Sequence, residues 1–136
     1  LPFIEDPYQA RFEKLIDLNM TFIHYLFRQL HIDTEIKLLS ELGIRTTGNQ
    51  LLVDICHQLR ASVYLAQPAA AKYLDGGLFQ KEGRQIQFIK PPAPVYPQLW
   101  GPFIANLSVL DLLFNCGPKA KEILLPKSYM KINEKF

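Results

Sequence analysis

Three short stretches bring together side chains able to hold or activate a polar substrate. The first is Ser40-Glu41, followed by Thr46, Thr47 and Gly48 ahead of a predicted helix. Ser40 and Glu41 are the candidate catalytic pair, with Glu41 acting as a base or holding a substrate ammonium. Free N–H groups at the helix start, helped by the hydroxyls of Thr46 and Thr47, suit an anionic group. The same residues also serve as a cap beside a solvated carboxylate. The second stretch places Tyr64 on a predicted strand and Lys72, Tyr73 and Asp75 just beyond Gln67-Pro68-Ala69. Lys72 falls in a first helical turn, where the dipole opposes it but a phosphate would welcome it. A solvated lysine is the plainer reading. The third is Tyr96, Gln98 and Trp100 after a proline run. Aromatic rings beside polar groups suit the faces of a sugar, although such residues also cover cores with their polar tips in water.

Other chemistries lack their residues. There is no glycine-rich dinucleotide loop, no P-loop and no zinc spacing, so no cofactor or metal is expected. His24, His31 and His57 are far apart in sequence and none has an evident nucleophile beside it, which gives a Ser-His-Asp arrangement little support. Asp111 reads as a cap or a buried partner, not as a catalytic acid.

The chain is organised around Val95 to Gly117, VYPQLWGPFIANLSVLDLLFNCG, its most apolar and aromatic part. Ser108 and Asp111 form a capping pair for a helix that Val109, Leu110, Leu112, Leu113 and Phe114 surround with apolar surface. Such a helix is expected to be buried. Gly117 suits its closing left-handed residue, and Pro118 can open a last helix to Leu125. Upstream, Phe12, Leu15, Ile16, Phe22, Ile23, Leu26, Phe27 and Leu30 recur at helical spacing and predict a helix over 8–31, with Asn19 as a hydrogen-bonded core group. Strands are expected at TEIKLL (34–39), ASVYLA (61–66) and QIQFIK (85–90). Between them lie helices over about 49–60, facing inward through Leu51, Leu52, Ile55, Cys56 and Leu59, and over about 69–75. Gly76-Gly77 is expected to loosen the chain before Leu78 and Phe79 pack back, and residues 128–136 to fray.

Strands alternating with helices imply one α/β domain over 1–136, with three layers and a short, mainly parallel sheet of about three strands, doubly wound in style. In such sheets ligands bind beyond the carboxyl ends of the strands, where all three stretches fall.

Composition narrows the function classes. The chain has 136 residues, 49% hydrophobic and 21% charged, enough for one globular core. A net charge of +2 with no basic run does not signal nucleic acid. No run of about 20 uncharged apolar residues is present to span a membrane. Cys56 and Cys116 have no metal or redox spacing, and with no leader in view they fit a reducing, cytoplasmic setting.

One resemblance is specific. Pro97-Gln98-Leu99-Trp100-Gly101-Pro102-Phe103, then Asn106-Leu107-Ser108 and Asp111-Leu112-Leu113-Phe114-Asn115-Cys116-Gly117, resembles the C-terminal signature of the WbqC-like family. Leu39 to Gly43, Leu52 to Cys56 and Lys72 to Asp75 extend it upstream. Where relatives carry glycines before the Tyr-Leu-Asp, Ala69-Ala70-Ala71 stand here and favour helix. The resemblance implies a bacterial protein of O-antigen and surface-polysaccharide assembly, transferring a glycine, another aminoacyl or an acyl group to an amino sugar that is nucleotide-linked. The family's His-Gln-Pro-x-Tyr-x-Pro-Trp motif has no match, and the chain begins without Met at Leu1-Pro2-Phe3. The C-terminal portion of a longer protein is therefore expected. The alternative is a non-catalytic binding or assembly module that pairs as a homodimer.

Overall fold

The structure, a computed structural model, describes residues 11–91 and 93–125. The expected helix start at Tyr8, Pro92 of the proline run and the tail over 128–136 lie outside them. The chain divides into two compact units, one made of residues up to Thr34 and from Ala93 onward, the other of Glu35–Pro92.

The Glu35–Pro92 unit is α/β. It holds α2 (Leu39–Leu42), α3 (Gly48–Gln58), β1 (Val63–Ala66), a 3-10 turn (Pro68–Lys72), α4 (Gly76–Lys81) and β2 (Gln85–Phe88). The two strands pair in parallel with Val63 opposite Gln85 and Ala66 opposite Phe88. The Gln85 N–H donates to the Ser62 carbonyl and the Ile89 N–H to the Ala66 carbonyl, extending the ladder at both ends. A parallel pair needs a crossover, and α4 lies within it. The Asp75 carboxylate caps α4 by accepting from the Leu78 N–H at 3.0 Å. That cap starts a helix at Gly76-Gly77, where a loosened chain is expected from sequence. The unit's core is Val53, Cys56 and Phe79, with Leu52, Tyr64, Leu74, Leu78 and Ile86 packed around it.

Other expectations fail here as well. TEIKLL is not a strand, so the sheet has two strands and not about three. Exposure still alternates, with Glu35 and Lys37 outside and Ile36 and Leu38 half-buried, but among the described residues no neighbour supplies a ladder. Leu39 instead opens the single turn of α2, closed by Gly43 in the left-handed region at φ 66°. The inward face of α3 is also rotated from the expected one: Val53 is fully buried, whereas Leu59 is 42% exposed.

The other unit is helical in its described part, with α1 (Leu15–Gln29), α5 (Val109–Cys116), a 3-10 turn (Gly117–Lys119) and α6 (Ala120–Leu124). Leu30, Tyr96, Leu112, Leu113 and Ala120 form its core, with Leu26, Ile32, Val109 and Ile123 against them. The Ser108 hydroxyl accepts from the Leu110 N–H and caps α5 as expected. Gly117, at φ 51°, closes it. The helix is not fully enclosed, since Phe114 is 48% exposed, and its core partners are helices and the Tyr96 segment, with no strand residue among them. No residue of α1 is buried and Asn19 is exposed; among the described residues Leu26, near the C-terminal end of α1, packs against the core.

Truncating the two cores separates supporting from exposed apolar residues. Phe79→Ala is expected to cost about 3–5 kcal/mol of unfolding free energy and Leu112→Ala about 2–5 kcal/mol. Leu15→Ala, at a position 72% exposed, is expected to change stability by about 0.5 kcal/mol or less. Denaturant midpoints check the order.

Candidate functional site

Most of the residues predicted from sequence lie in the Glu35–Pro92 unit, where structural duties occupy several of them. Ser40 and Glu41 are exposed on the single turn of α2. Thr47 precedes α3 in extended backbone and its side chain does not cap the helix. The Thr46 hydroxyl donates to the Asp54 carboxylate at 2.5 Å, and the Gln50 amide donates to the same group at 2.8 Å. Those bonds, led by that of Thr46, hold the Asp54 carboxyl below the usual carboxylate range. A second anion on Thr46 would meet that charge, so this helix start is poorly suited to the anionic group expected there.

Asn49 joins two of the predicted stretches. Its amide N–H donates to the Tyr73 carbonyl at 3.1 Å, and its carbonyl accepts from the Asp75 N–H at 2.9 Å. The start of α3 and the Tyr73–Asp75 turn are thus fixed to each other. Asp75 is the α4 cap, and the Tyr64 ring packs 5.5 Å from Phe79 in the core. Lys72 and Tyr73 stay exposed, Tyr73 at 64%.

In the other unit the third predicted stretch forms a built cleft. Tyr96 is buried, and its hydroxyl donates to Asp111 Oδ2 at 2.8 Å. Gln98 Nε2 approaches the same oxygen at 3.3 Å and donates to the Ile104 carbonyl at 2.9 Å, while its Oε1 accepts from the Ile104 N–H at 2.9 Å. Asn115 Oδ1 accepts from the Leu99 N–H at 3.0 Å, and its amide donates to the Asp111 carbonyl at 2.8 Å. Phe103 meets the Tyr96 ring edge-on at 5.8 Å. The segment 96–104 is therefore fastened along α5 by side chains, without a backbone ladder. It borders a cleft of about 320 Å³ lined by Trp100, Leu107 and Phe114 and by the polar Gln98, Asp111 and Asn115.

Aromatic and aliphatic walls with a few placed polar groups are the usual make-up of a small-ligand site. Gln98 is largely used up on Ile104. Asp111 is not: both of its described hydrogen bonds reach Oδ2, which leaves Oδ1 as an acceptor. Trp100 is 86% exposed and offers a ring face at the cleft. Tyr96, expected to line the substrate, instead supports Asp111 from the core. Gln98 accompanies Tyr96 and Trp100 in the sequence reading, but the roles of Asp111 and Asn115 in a cleft carry no local sequence signal.

Sequence reading also missed a histidine contact. His57 Nδ1 lies 2.8 Å from Arg84 Nη2 and His57 Nε2 lies 3.4 Å from a Glu82 carboxylate oxygen. Burial pushes the neighbouring Cys56 thiol up. Among the described residues no group of three or more His, Cys, Asp or Glu is placed to hold a metal, and no helix is long and apolar enough to cross a membrane.

Burial first, and then the hydrogen bond to Asp111, raise the Tyr96 phenol above its ordinary value of 10.0. A raised folded value gives a stabilisation that is complete below the ordinary tyrosine range and is lost as pH climbs through the folded value. Chemical unfolding at rising alkaline pH is expected to show a steeper loss for the wild type than for Tyr96→Phe. Parallel curves would mean that this phenol is not held as described.

The chain is 29% identical over 108 residues to "Uncharacterized protein Rv1507c" of Mycobacterium tuberculosis (strain ATCC 25618 / H37Rv), covering 79% of this chain and 47% of that protein. It thus spans about half the length of the curated relative it matches. No solved structure matches it. The family model described as "WbqC-like protein family" matches residues 1–123, which include the whole Tyr96–Asn115 network. The chain belongs to the WbqC-like protein family.

Proposed function

We propose that this protein serves the transfer of a glycine, another aminoacyl or an acyl group to a nucleotide-linked amino sugar in O-antigen or related bacterial surface-polysaccharide assembly. In this reading the amino sugar sits in the Asp111 cleft. One observation carries it: a carboxylate on a capped helix, held through Oδ2 by Tyr96 and Gln98, with Oδ1 unengaged beside the exposed ring of Trp100. An amino sugar presents an ammonium and an apolar ring face, and the cleft offers a counterpart to each. An amine must be neutral to attack an acyl carbonyl, so a carboxylate that orients the ammonium can also take its proton.

Ser40 and Glu41, exposed in the Glu35–Pro92 unit, are candidates for an alternative reactive site separate from the Asp111 cleft. Thr47, Lys72 and Tyr73 are further candidate contacts in that unit, and Thr46 is one only by exchanging its bond to Asp54. Tyr64 and Asp75 have their structural duties in core and cap. The three-layer, doubly wound arrangement and a cytoplasmic setting, with both thiols free, belong to this same reading.

A second reading, a non-catalytic assembly module, rests on the exposed apolar residues of α1: Leu15 at 72%, Ile16 at 42% and Ile23 at 36%. On that reading α1 pairs with a second copy. Light scattering that returns a monomer across the micromolar range would remove it.

The cleft is tested by titrating nucleotide-linked glucosamine and its N-acetyl form into the protein. Asp111→Asn still accepts the Tyr96 hydroxyl but loses the charge, so affinity for the amino form is expected to fall about tenfold or more. Affinity for the N-acetyl form is expected to change little. Trp100→Ala should weaken both. Equal binding of the amino form by wild type and Asp111→Asn would retire the cleft, and loss of binding in Glu41→Ala alone would move the site to the Glu35–Pro92 unit.

A further inference from the structure

A second cavity lies wholly within the Glu35–Pro92 unit and owes nothing to Asp111. It has a volume of about 590 Å³, and its lining includes Leu74, Ile86 and Phe88 as apolar wall with Gln80, Gln85 and Arg84 as polar groups. Arg84 is the one charged residue among the described lining residues, and no carboxylate faces it there. A cavity with a single fixed cation and amide neighbours attracts an anion.

The placement of Arg84 strengthens this. Its Nη2 lies 2.8 Å from His57 Nδ1, and an arginine can only donate. Nδ1 is therefore the acceptor and the ring proton sits on Nε2, toward Glu82 at 3.4 Å. One nitrogen of the guanidinium is thus anchored outside the cavity lining, because neither His57 nor Glu82 borders the cavity. The Arg84 Nε–H is buried and meets no acceptor among the described residues. That nitrogen is shielded by protein, so an oxyanion entering the cavity would meet the guanidinium through its terminal nitrogens. A planar guanidinium takes carboxylates and phosphates through paired N–H groups. A polyphosphate would call for several cations, and the lining offers one. The apolar wall asks for a short hydrocarbon body.

We propose that this cavity binds a small organic monocarboxylate, with its carboxylate on Arg84 and its apolar body against Leu74, Ile86 and Phe88. Its occupation is separate from any amino-sugar binding at Asp111, so either can fail without the other.

The test is an NMR titration of the full chain with butyrate, butyramide and inorganic phosphate, following the arginine Nε–H resonances. The Arg84 signal is identified by its loss in Arg84→Lys. Butyrate is expected to shift it saturably, and butyramide, which keeps the shape without the charge, to bind at least about tenfold more weakly. Phosphate should also bind more weakly than butyrate, because it leaves the apolar wall unused. Phe88 is 45% exposed, so Phe88→Ala spares the core; it should weaken butyrate several-fold and leave phosphate unchanged. This arm compares affinities from any saturable shift, so it stands even if Arg84→Lys fails to fold. No saturable shift with any of the three would overturn the proposal and leave Arg84 as a clamp on His57. Equal binding of butyramide would overturn the role of charge, and equal or tighter binding of phosphate would overturn the organic class.

Discussion

A carboxylate set into an apolar helix has to be met by donors, because leaving a charge partly buried without them is costly. In this chain that demand falls on Asp111 of α5, and the Tyr96 hydroxyl answers it. Much else in the helical unit follows from the pairing. To bring Tyr96 inward, the segment after the prolines must run along α5. Gln98 then engages both backbone groups of Ile104, Asn115 receives the Leu99 N–H, and Phe103 closes on the Tyr96 ring. The segment carries no regular structure of its own. Side-chain hydrogen bonds do the work that a ladder does elsewhere, and the price is a row of apolar residues left outside, Leu99 at 77% and Trp100 at 86% exposed. Exposed aromatic surface beside a held carboxylate is an arrangement fit for recognition.

The Glu35–Pro92 unit answers a different constraint. Two parallel strands of four residues each are too little sheet to stand alone. Phe79 from α4 and Val53 with Cys56 from α3 supply the buried surface that the strands lack. Asn49 then fixes the start of α3 to the turn that leads into α4. Side chains that look reactive in sequence, such as Asp75 and Thr46, are drawn into this scaffold as a cap and as a carboxylate's partner. Hydroxyls and carboxylates near helix ends have two uses, and the local one often prevails because the free N–H groups are always present.

Legibility varied from element to element. VYLA and QIQF were readable as strands from their β-branched and aromatic content, and Ser108 and Gly117 marked both ends of α5. TEIKLL shows the same alternation but finds no partner among the described residues, because pairing depends on a neighbour and periodicity does not report one. In α3 the apolar residues cover more than one face, and the face read as inward left out Val53, which packs with Phe79 in the core. The apolar stripe of α1 reads as core from sequence, Asn19 included, yet among the described residues Asn19 is exposed and the core takes in Leu26 near the end of the helix. Helical spacing states which face can be buried and leaves open whether anything covers it.

The sequence by itself determined what depends on neighbours within a few positions: the Ser108 cap, the closing Gly117, two of the three strand-forming runs and the signature from Pro97 to Gly117 shared with its family. Only the tertiary structure decided which of those residues meet. Tyr96 reaches Asp111 across 15 positions and Arg84 reaches His57 across 27. No local preference encodes such distances, because they depend on where the chain returns after its turns and on which buried groups still lack a partner when it does.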